Sequence, residues 1–265
     1  MNFEDEDSME NKLILVTNDD GYTAPGIRAL IRMMRPLGEV IVAAPDKPQS
    51  GMAHSITVNN PLRYQKITEE ENYKEYAING TPVDCVKLAE KFLLPRKPDL
   101  LVSGINHGSN ASINILYSGT MAAVLEGCML NIPSIGFSFC DYSFHADFEQ
   151  LDKWITKIAQ VVLQNGLPKG VCLNINFPET SGKPIRGIRI THQGEGRWEE
   201  EFDHRIDPRQ RDYFWIMGNF VSYDGQPGSD LHALENDYIS IMPVQYDMTA
   251  YHAMESLITI FHNNE

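Results

Sequence analysis

An α/β fold built on a doubly wound, mainly parallel sheet is what this 265-residue sequence predicts, and three observations carry the prediction. Short runs rich in Val, Ile and Leu alternate with longer stretches whose apolar residues fall at helical spacing. The short runs are apolar throughout rather than at every second residue, the pattern of strands covered on both faces. Pro, Gly, Asn and Ser punctuate the junctions. A composition of 42% hydrophobic and 22% charged residues fits one globular unit of this class.

Taken in order, Lys12 to Asn18 (KLILVTN) reads as a central parallel strand. APGIRALIRMMRPLG follows, with Pro25 in the first helical turn and Gly38 as its stop, and completes a strand–helix unit. Glu39 to Pro45 is a second buried strand, Pro82 to Leu93 a helix, Pro98 to Gly104 a strand, and SGTMAAVLEGCML a helix opened by Ser118. Pro133 to Phe139, a helix over about Asp147 to Leu163, and Val171 to Phe177 continue the alternation. Beyond about Pro178 the texture changes: charges interleave with Trp198, Phe202, Tyr213, Phe214 and Trp215 around a turn at Asp207 and Pro208. This predicts an antiparallel β-hairpin arm over about residues 191–220, followed by a C-terminal extension. A charged aromatic arm suits an oligomer interface better than a plain surface hairpin. There is no internal repeat and no low-complexity linker.

The net charge of −14 repels polymeric nucleic acid, and a small anionic ligand would need a local cationic feature such as a metal. No apolar run approaches the roughly eighteen residues of a membrane span, so no membrane partner is expected. The opening MNFEDEDSMEN is acidic and lacks a basic segment before an apolar core; residues 1–11 read as a disordered tail ahead of a single domain over 12–265. Cys85, Cys128, Cys140 and Cys172 are dispersed in apolar segments with no C-x-x-C pair. They predict reduced thiols and a cytoplasmic protein.

Open parallel sheets bind ligands beyond the carboxyl ends of their strands. Four such places carry small polar or acidic residues: Asn18-Asp19-Asp20-Gly21, PDKPQSGMAHS, GINHGSN, and Ser118-Gly119-Thr120. Each alone has a plain explanation as a turn or a cap. Together they converge. Two carboxylates on adjacent residues repel, and they cost stability unless a cation or a raised pKa relieves them. A hard divalent ion provides that relief, and Asp, Asn and Ser oxygens suit Mg²⁺, Mn²⁺ or Ca²⁺ rather than zinc. Gly104, Gly108 and Gly119 would let backbone approach a phosphate, to which the helix beginning near Ser118 offers N–H groups. Phosphoryl chemistry follows. His54 and His107 lie in the candidate loops without metal-ligand spacing and read as solvated or supporting residues. Neither a G-x-S-x-G elbow nor a G-x-G-x-x-G fingerprint is present, against serine-hydrolase and dinucleotide readings.

The blocks ILVTNDDGYTAPGIRAL, APDKPQSGMAHSIT, NGTPVDCV, LVSGINHGSN, YSGTMAAVLEG, RWEEEFDHRIDPRQRDYFW and SDLHALENDYISIMPVQYDMT, ordered between Lys12 and Thr249, resemble the SurE family of metal-dependent nucleotidases. The resemblance implies a Rossmann-like core and hydrolysis of nucleoside monophosphates, as 5′-nucleotidase with 3′-nucleotidase and exopolyphosphatase activity beside it. It implies one divalent metal ion per subunit, Mg²⁺ or Mn²⁺, held by Asp19, Asp20, Ser50 and Asn106, with Asp19 and Asp20 catalytic. Asn110, Ser118, Gly119 and Thr120 are expected to contact the phosphate, and Thr81 with Asp84 to line the cleft; Asp84 equally suits a first-turn helix acid. Asp230 or a water is left to protonate the leaving group. A homodimer or homotetramer is expected. Two departures from the family pattern bear on substrate preference. Ala111-Ser112-Ile113-Asn114 replaces an acidic or glycine-containing segment, and Ser229 replaces the threonine usual before Asp230. Two rival readings stand beside this one: an aspartyl-phosphate phosphatase, whose acids are spaced D-x-D rather than adjacent, and a non-catalytic metal- and nucleotide-binding module.

Overall fold

The structure, a computed structural model, describes residues 12–143, 146–180, 182–223 and 226–262, so the acidic tail over residues 1–11 lies outside the described residues. In chain order the elements are β1 (Leu13–Thr17), α1 (Pro25–Met34), β2 (Glu39–Pro45), β3 (Tyr64–Glu70), β4 (Tyr73–Ile78), α2 (Pro82–Leu88), β5 (Leu100–His107) and α3 (Gly119–Met129). They continue with β6 (Ser134–Phe139), α4 (Asp152–Asn165), β7 (Val171–Phe177), β8 (Gly187–Ile190), β9 (Gly196–Ile206), β10 (Asp212–Ser222), α5 (Asp230–Glu235), β11 (Tyr238–Gln245) and α6 (Tyr251–His262).

Nine strands form one sheet in the order β3-β4-β2-β1-β5-β6-β7-β11-β8. Neighbours from β4 to β7 pair in parallel, while β3 and β11 join antiparallel. The apolar strands are buried on both faces, as their unbroken runs require. In β1, Ile14 and Val16 pack with α1 and α4, whereas Leu15 packs with α2 and α3 on the other face. Chain direction across the sheet reverses between β1 and β5: β2 lies to one side of β1, and β5, β6 and β7 follow on the other. That reversal creates the crevice at which open α/β sheets bind ligands.

One connection departs from the simple doubly wound pattern. The β5–α3–β6 and β6–α4–β7 crossovers step the same way across the sheet, yet α3 and α4 pack on opposite faces. Their hands are therefore opposite, and β6–α4–β7 is the crossover that departs from the right-handed rule, since α1 and α2 agree with α3. The helix expected over Pro82–Leu93 ends as an α-helix at Leu88 and continues as a π-helical turn over Ala89–Leu93.

The expected arm is a separate two-stranded antiparallel sheet of β9 and β10, paired from Gly196↔Ser222 to Ile206↔Asp212. The C-terminal extension ends in α6, which has no buried residue. All four cysteines are free thiols, and no helix among the described residues is long and apolar enough to cross a membrane.

Asp230, at the start of α5, is fully buried and ties the arm to the core. Its Oδ2 accepts from the Ser112 main-chain N–H at 2.7 Å, and its Oδ1 accepts from Gly194 and Leu231 N–H, each at 2.8 Å. A carboxylate so engaged is a structural clamp; it is not free to protonate a leaving group as the sequence reading allowed. Asp230→Ala leaves three amides, two of them buried, without that acceptor, and we expect a loss of about 3 kcal/mol in urea denaturation.

Candidate active site

Beyond Thr17 the chain turns sharply. The Asn18 amide donates to the Gly21 carbonyl at 2.9 Å, and Gly21 has φ +96°, a conformation that side-chain-bearing residues rarely adopt. This turn projects Asp19 and Asp20 off the end of the central strand. The Gln49 N–H donates to the Asp19 carbonyl at 2.7 Å, stitching the loop after β2 to the acidic turn. Ser50 thereby reaches Asp20, its hydroxyl donating to Oδ1 over a long 3.5 Å.

β5 continues past the expected end at Gly104 to His107, and its pairing with β6 shifts register between Ser103 and Asn106. The shift carries Asn106 to the same place. The Asn106 Nδ2 donates to the Gly108 carbonyl at 2.8 Å, leaving Oδ1 at 3.4 Å from the Thr120 hydroxyl. From the other side comes the N-terminus of α3, capped by Ser118, whose hydroxyl accepts from Met121 N–H at 3.0 Å. A Cβ at Gly119 would lie 2.8 Å from Asp19 Cβ and 2.9 Å from its Oδ2, so only glycine lets the helix end approach this closely. The Thr120 hydroxyl, fully buried, donates to Asp19 Oδ1 at 2.6 Å.

Asp19 is only 4% exposed. Burial first, then the charge of Asp20, pushes its carboxyl up to about 6, with the Thr120 hydrogen bond opposing. Burial also raises Asp20; a main-chain hydrogen bond from His107, the His107 charge and the Ser50 hydroxyl oppose it. Two crowded acids with elevated pKa values are a site in need of positive charge. The donor set of two carboxylates, a hydroxyl and an amide oxygen matches a hard divalent cation. Among the described residues no group of three or more His, Cys, Asp and Glu is placed to hold a metal, so a cation here relies on Asp19 and Asp20 completed by the neutral oxygens of Ser50 and Asn106.

These residues line an open cleft of about 520 Å³, joined by Asn110 and Ser118. Asn110 is held by a buried polar ladder: its N–H donates to Asn176 Oδ1, its Nδ2 to the Ser138 hydroxyl, and its carbonyl accepts from Asn174. Thr120 and Thr81 lie behind the cleft. Thr81 caps α2 in a reciprocal pair with Asp84, whose carboxylate also accepts from Thr57 N–H, while the Thr81 hydroxyl donates to the Ser55 carbonyl. The pair anchors the loop that carries Ser50, and Asp84 is the first-turn acid that was the alternative. His54 lies outside the cleft, 3.4 Å from the buried Glu126, on a second pocket of about 490 Å³ that is largely apolar and has no carboxylate pair.

Sequence reasoning missed the cleft's aromatic side, formed by Tyr117, Tyr142 and Trp198 with the aliphatic Ile216 beside them. Trp198 and Ile216 belong to the arm, whose composition favours an interface over a plain surface hairpin and gives no sign of a cleft. The ladder beneath Asn110 did leave a signal, since Ser138, Asn174 and Asn176 are polar positions inside otherwise apolar strands.

A crevice at the topological switch point, with paired carboxylates, neutral oxygens and a helix N-terminus gathered there, defines an α/β protein of the doubly wound class with its candidate site where that class binds ligands. The chain belongs to the SurE family: the family model described as survival protein SurE matches residues 14–200. It is 54% identical over 247 residues to the 5′-nucleotidase SurE of Christiangramia forsetii, covering 92% of this chain and 95% of that one. It is 42% identical to the 5′-nucleotidase SurE of Chlorobaculum tepidum over 93% of both chains. The crystal structure of the SurE protein from Aquifex aeolicus superposes with a TM-score of 0.80 at 38% identity, covering 94% of this chain and 99% of that one.

The elevated Asp19 pKa makes a signed prediction. Because the folded value of about 6 lies above the 3.8 of an unperturbed aspartate, the folded protein binds the extra proton. The group's contribution is therefore fully favourable below the unfolded pKa and is lost as pH rises through 6. In EDTA, Asp19→Asn is expected to be more stable than wild type at pH 7.5, by at most about 3 kcal/mol, with the gap narrowing by about half at pH 5. Urea denaturation at the two pH values measures it; a gap that widens on acidification contradicts the electrostatic account.

Proposed function

We propose that this protein is a divalent-metal-dependent 5′-nucleotidase that releases inorganic phosphate from nucleoside monophosphates. The observation that carries the reading is the crowding of Asp19 and Asp20 against the N-terminus of α3 in one open cleft, in a chain whose relatives bear the name 5′-nucleotidase. Asp19, Asp20, Ser50 and Asn106 would hold one Mg²⁺ or Mn²⁺ per subunit, which would supply Lewis acidity toward the phosphate and toward water. Ser118, Gly119 and Asn110 orient the phosphoryl group. Thr120 acts from behind, fixing the Asp19 carboxylate by its 2.6 Å hydrogen bond, and Thr81 steadies the Ser50 loop. Asp20, the more exposed acid and raised in pKa, is placed to take a proton from the attacking water.

Asp19 is badly placed as a covalent nucleophile, since Thr120 donates to its Oδ1 and its remaining oxygen lone pairs would be taken by the cation. Direct displacement by water is thus favoured over an aspartyl-phosphate route. Acid quench during turnover of labelled nucleotide should recover no label on protein, and a chiral phosphorus should invert; label on Asp19 or Asp20 with retention would establish the rival. Activity toward 3′-nucleotides and polyphosphate belongs to the same proposal, and the four free thiols support a cytoplasmic location.

Asp19→Asn should cut nucleoside monophosphate hydrolysis by at least about a hundredfold at saturating Mg²⁺ or Mn²⁺ while the fold persists. Near-normal turnover would sink the metal assignment, and failure of the wild-type protein to hydrolyse any phosphate ester would favour a non-catalytic binding module.

The same reading includes a homodimer or homotetramer. Its support is the exposure of Phe214, Trp215, Ile216 and Met217 on β10, and of Leu257, Ile258 and Phe261 on a helix with no buried residue. Light scattering at micromolar concentration should give a multiple of the single-chain mass; a fully active monomer counts against it.

A further inference from the structure

The cleft that contains Asp19 and Asp20 also contains Trp198, in β9 at the root of the arm. Trp198 is held in place by two contacts. Its Nε1 donates to Asn114 Oδ1 at 2.8 Å, and its ring packs edge-to-face with Phe220, its partner across the β9–β10 pair, at a centroid distance of 5.9 Å. The residue nonetheless remains 43% exposed. A second ring on the cleft is also tethered: the Tyr142 hydroxyl accepts from Ser109 N–H at 3.1 Å, and its ring lies so close over Gly108 that a Cβ there would come within 2.7 Å. One part of the cleft is thus acidic, with a helix N-terminus, and another is aromatic and pre-ordered.

A nucleoside monophosphate is divided the same way, into a dianionic phosphate and a flat π-system. An exposed indole whose rotamer is already fixed can stack on a base at little entropic cost. Asn114, which fixes it, lies in the short helical turn between β5 and α3 that also borders the cleft.

We propose that Trp198 stacks on the nucleobase of the bound substrate, with Asn114 as its positioning residue, so that the root of the arm is the base-recognition element of the site. The inference rests on the nucleotidase reading. Stacking tolerates any base because every base has a π-face, so all nucleoside monophosphates are substrates, purines better than pyrimidines by their larger ring area.

The test compares a purine nucleoside 5′-monophosphate with ribose 5-phosphate, which keeps the sugar and phosphate but has no base. In Trp198→Ala the ratio of kcat/KM for nucleotide over sugar phosphate should fall about tenfold, mainly through KM for the nucleotide. Trp198→Phe, which keeps a ring, should lose less, and Asn114→Ala should fall between wild type and Trp198→Ala. Nucleotide should also quench tryptophan fluorescence in the wild type and fail to do so in Trp198→Phe, where Trp154 and Trp215 remain as reporters. An unchanged ratio, equal losses on both substrates, or a full quench in Trp198→Phe overturns the proposal. If the wild type hydrolyses neither compound the nucleotidase reading fails instead, and the quench still decides whether Trp198 meets a base.

Discussion

Asp19 is buried beside a second acid, and both burial and repulsion oppose its charge, lifting its pKa to about 6. The surrounding structure is shaped by that opposition. Thr120 supplies one hydroxyl from inside α3, and Gly119 removes the side chain that would otherwise stand where the carboxylate lies. The turn closed by Asn18 and Gly21 delivers both acids from a strand buried along its whole length. None of these contacts neutralises the pair. A protein that keeps two acids crowded in this way carries an electrostatic cost that a proton or a positive charge relieves, and such a cost marks a candidate site.

Much of this was legible in the sequence because it is written in local chemistry. Unbroken Val/Ile/Leu runs announced the parallel strands, Pro25 and Ser118 announced helix starts, and adjacent acids after β1 announced a place of high charge density. β3 and β4 are not legible in the sequence: YQKITEE and YKEYAI are too polar to read as buried strands, yet only β3 is the solvated edge strand, whereas β4, one strand in, is buried with its Glu75 bonded to Arg28 and Tyr73. The opposite hand of the β6–α4–β7 crossover leaves no trace in spacing, since the same amphipathic α4 packs on either face. The hydrogen bonds that Thr81 and Thr120 make within the protein were not legible for a related reason. A hydroxyl near a helix start serves a ligand or a neighbour equally well, and only the fold reveals which atom it faces.

The arm shows how tertiary contact can override a reading from texture. Its exposed aromatics suggested association, and the outer residues of β10 remain exposed in accord with that. Its root, however, is drawn into the chain's own cleft by Trp198 and Asn114, and its entry is clamped by Asp230 through Gly194. The same Asp230 carboxylate holds Ser112, at the start of the turn that presents Asn114. One buried acid therefore fixes both partners of the Trp198–Asn114 contact from behind.

That arrangement ties two properties that sequence alone would treat as separate. The arm is one continuous hairpin of eleven register pairs, so its twist and inclination are shared between the exposed end and the end that enters the cleft. The exposed Phe214, Trp215 and Met217 therefore stand on the same hairpin that carries the indole of Trp198. The hairpin is held at its root, where Gly194 bonds to Asp230 and Trp198 to Asn114, while Ile206, Phe202 and Phe214 are exposed farther along it. One element thus carries both an exposed apolar face and part of the cleft's wall, whereas the acidic side of the cleft is built on β1, β5 and α3.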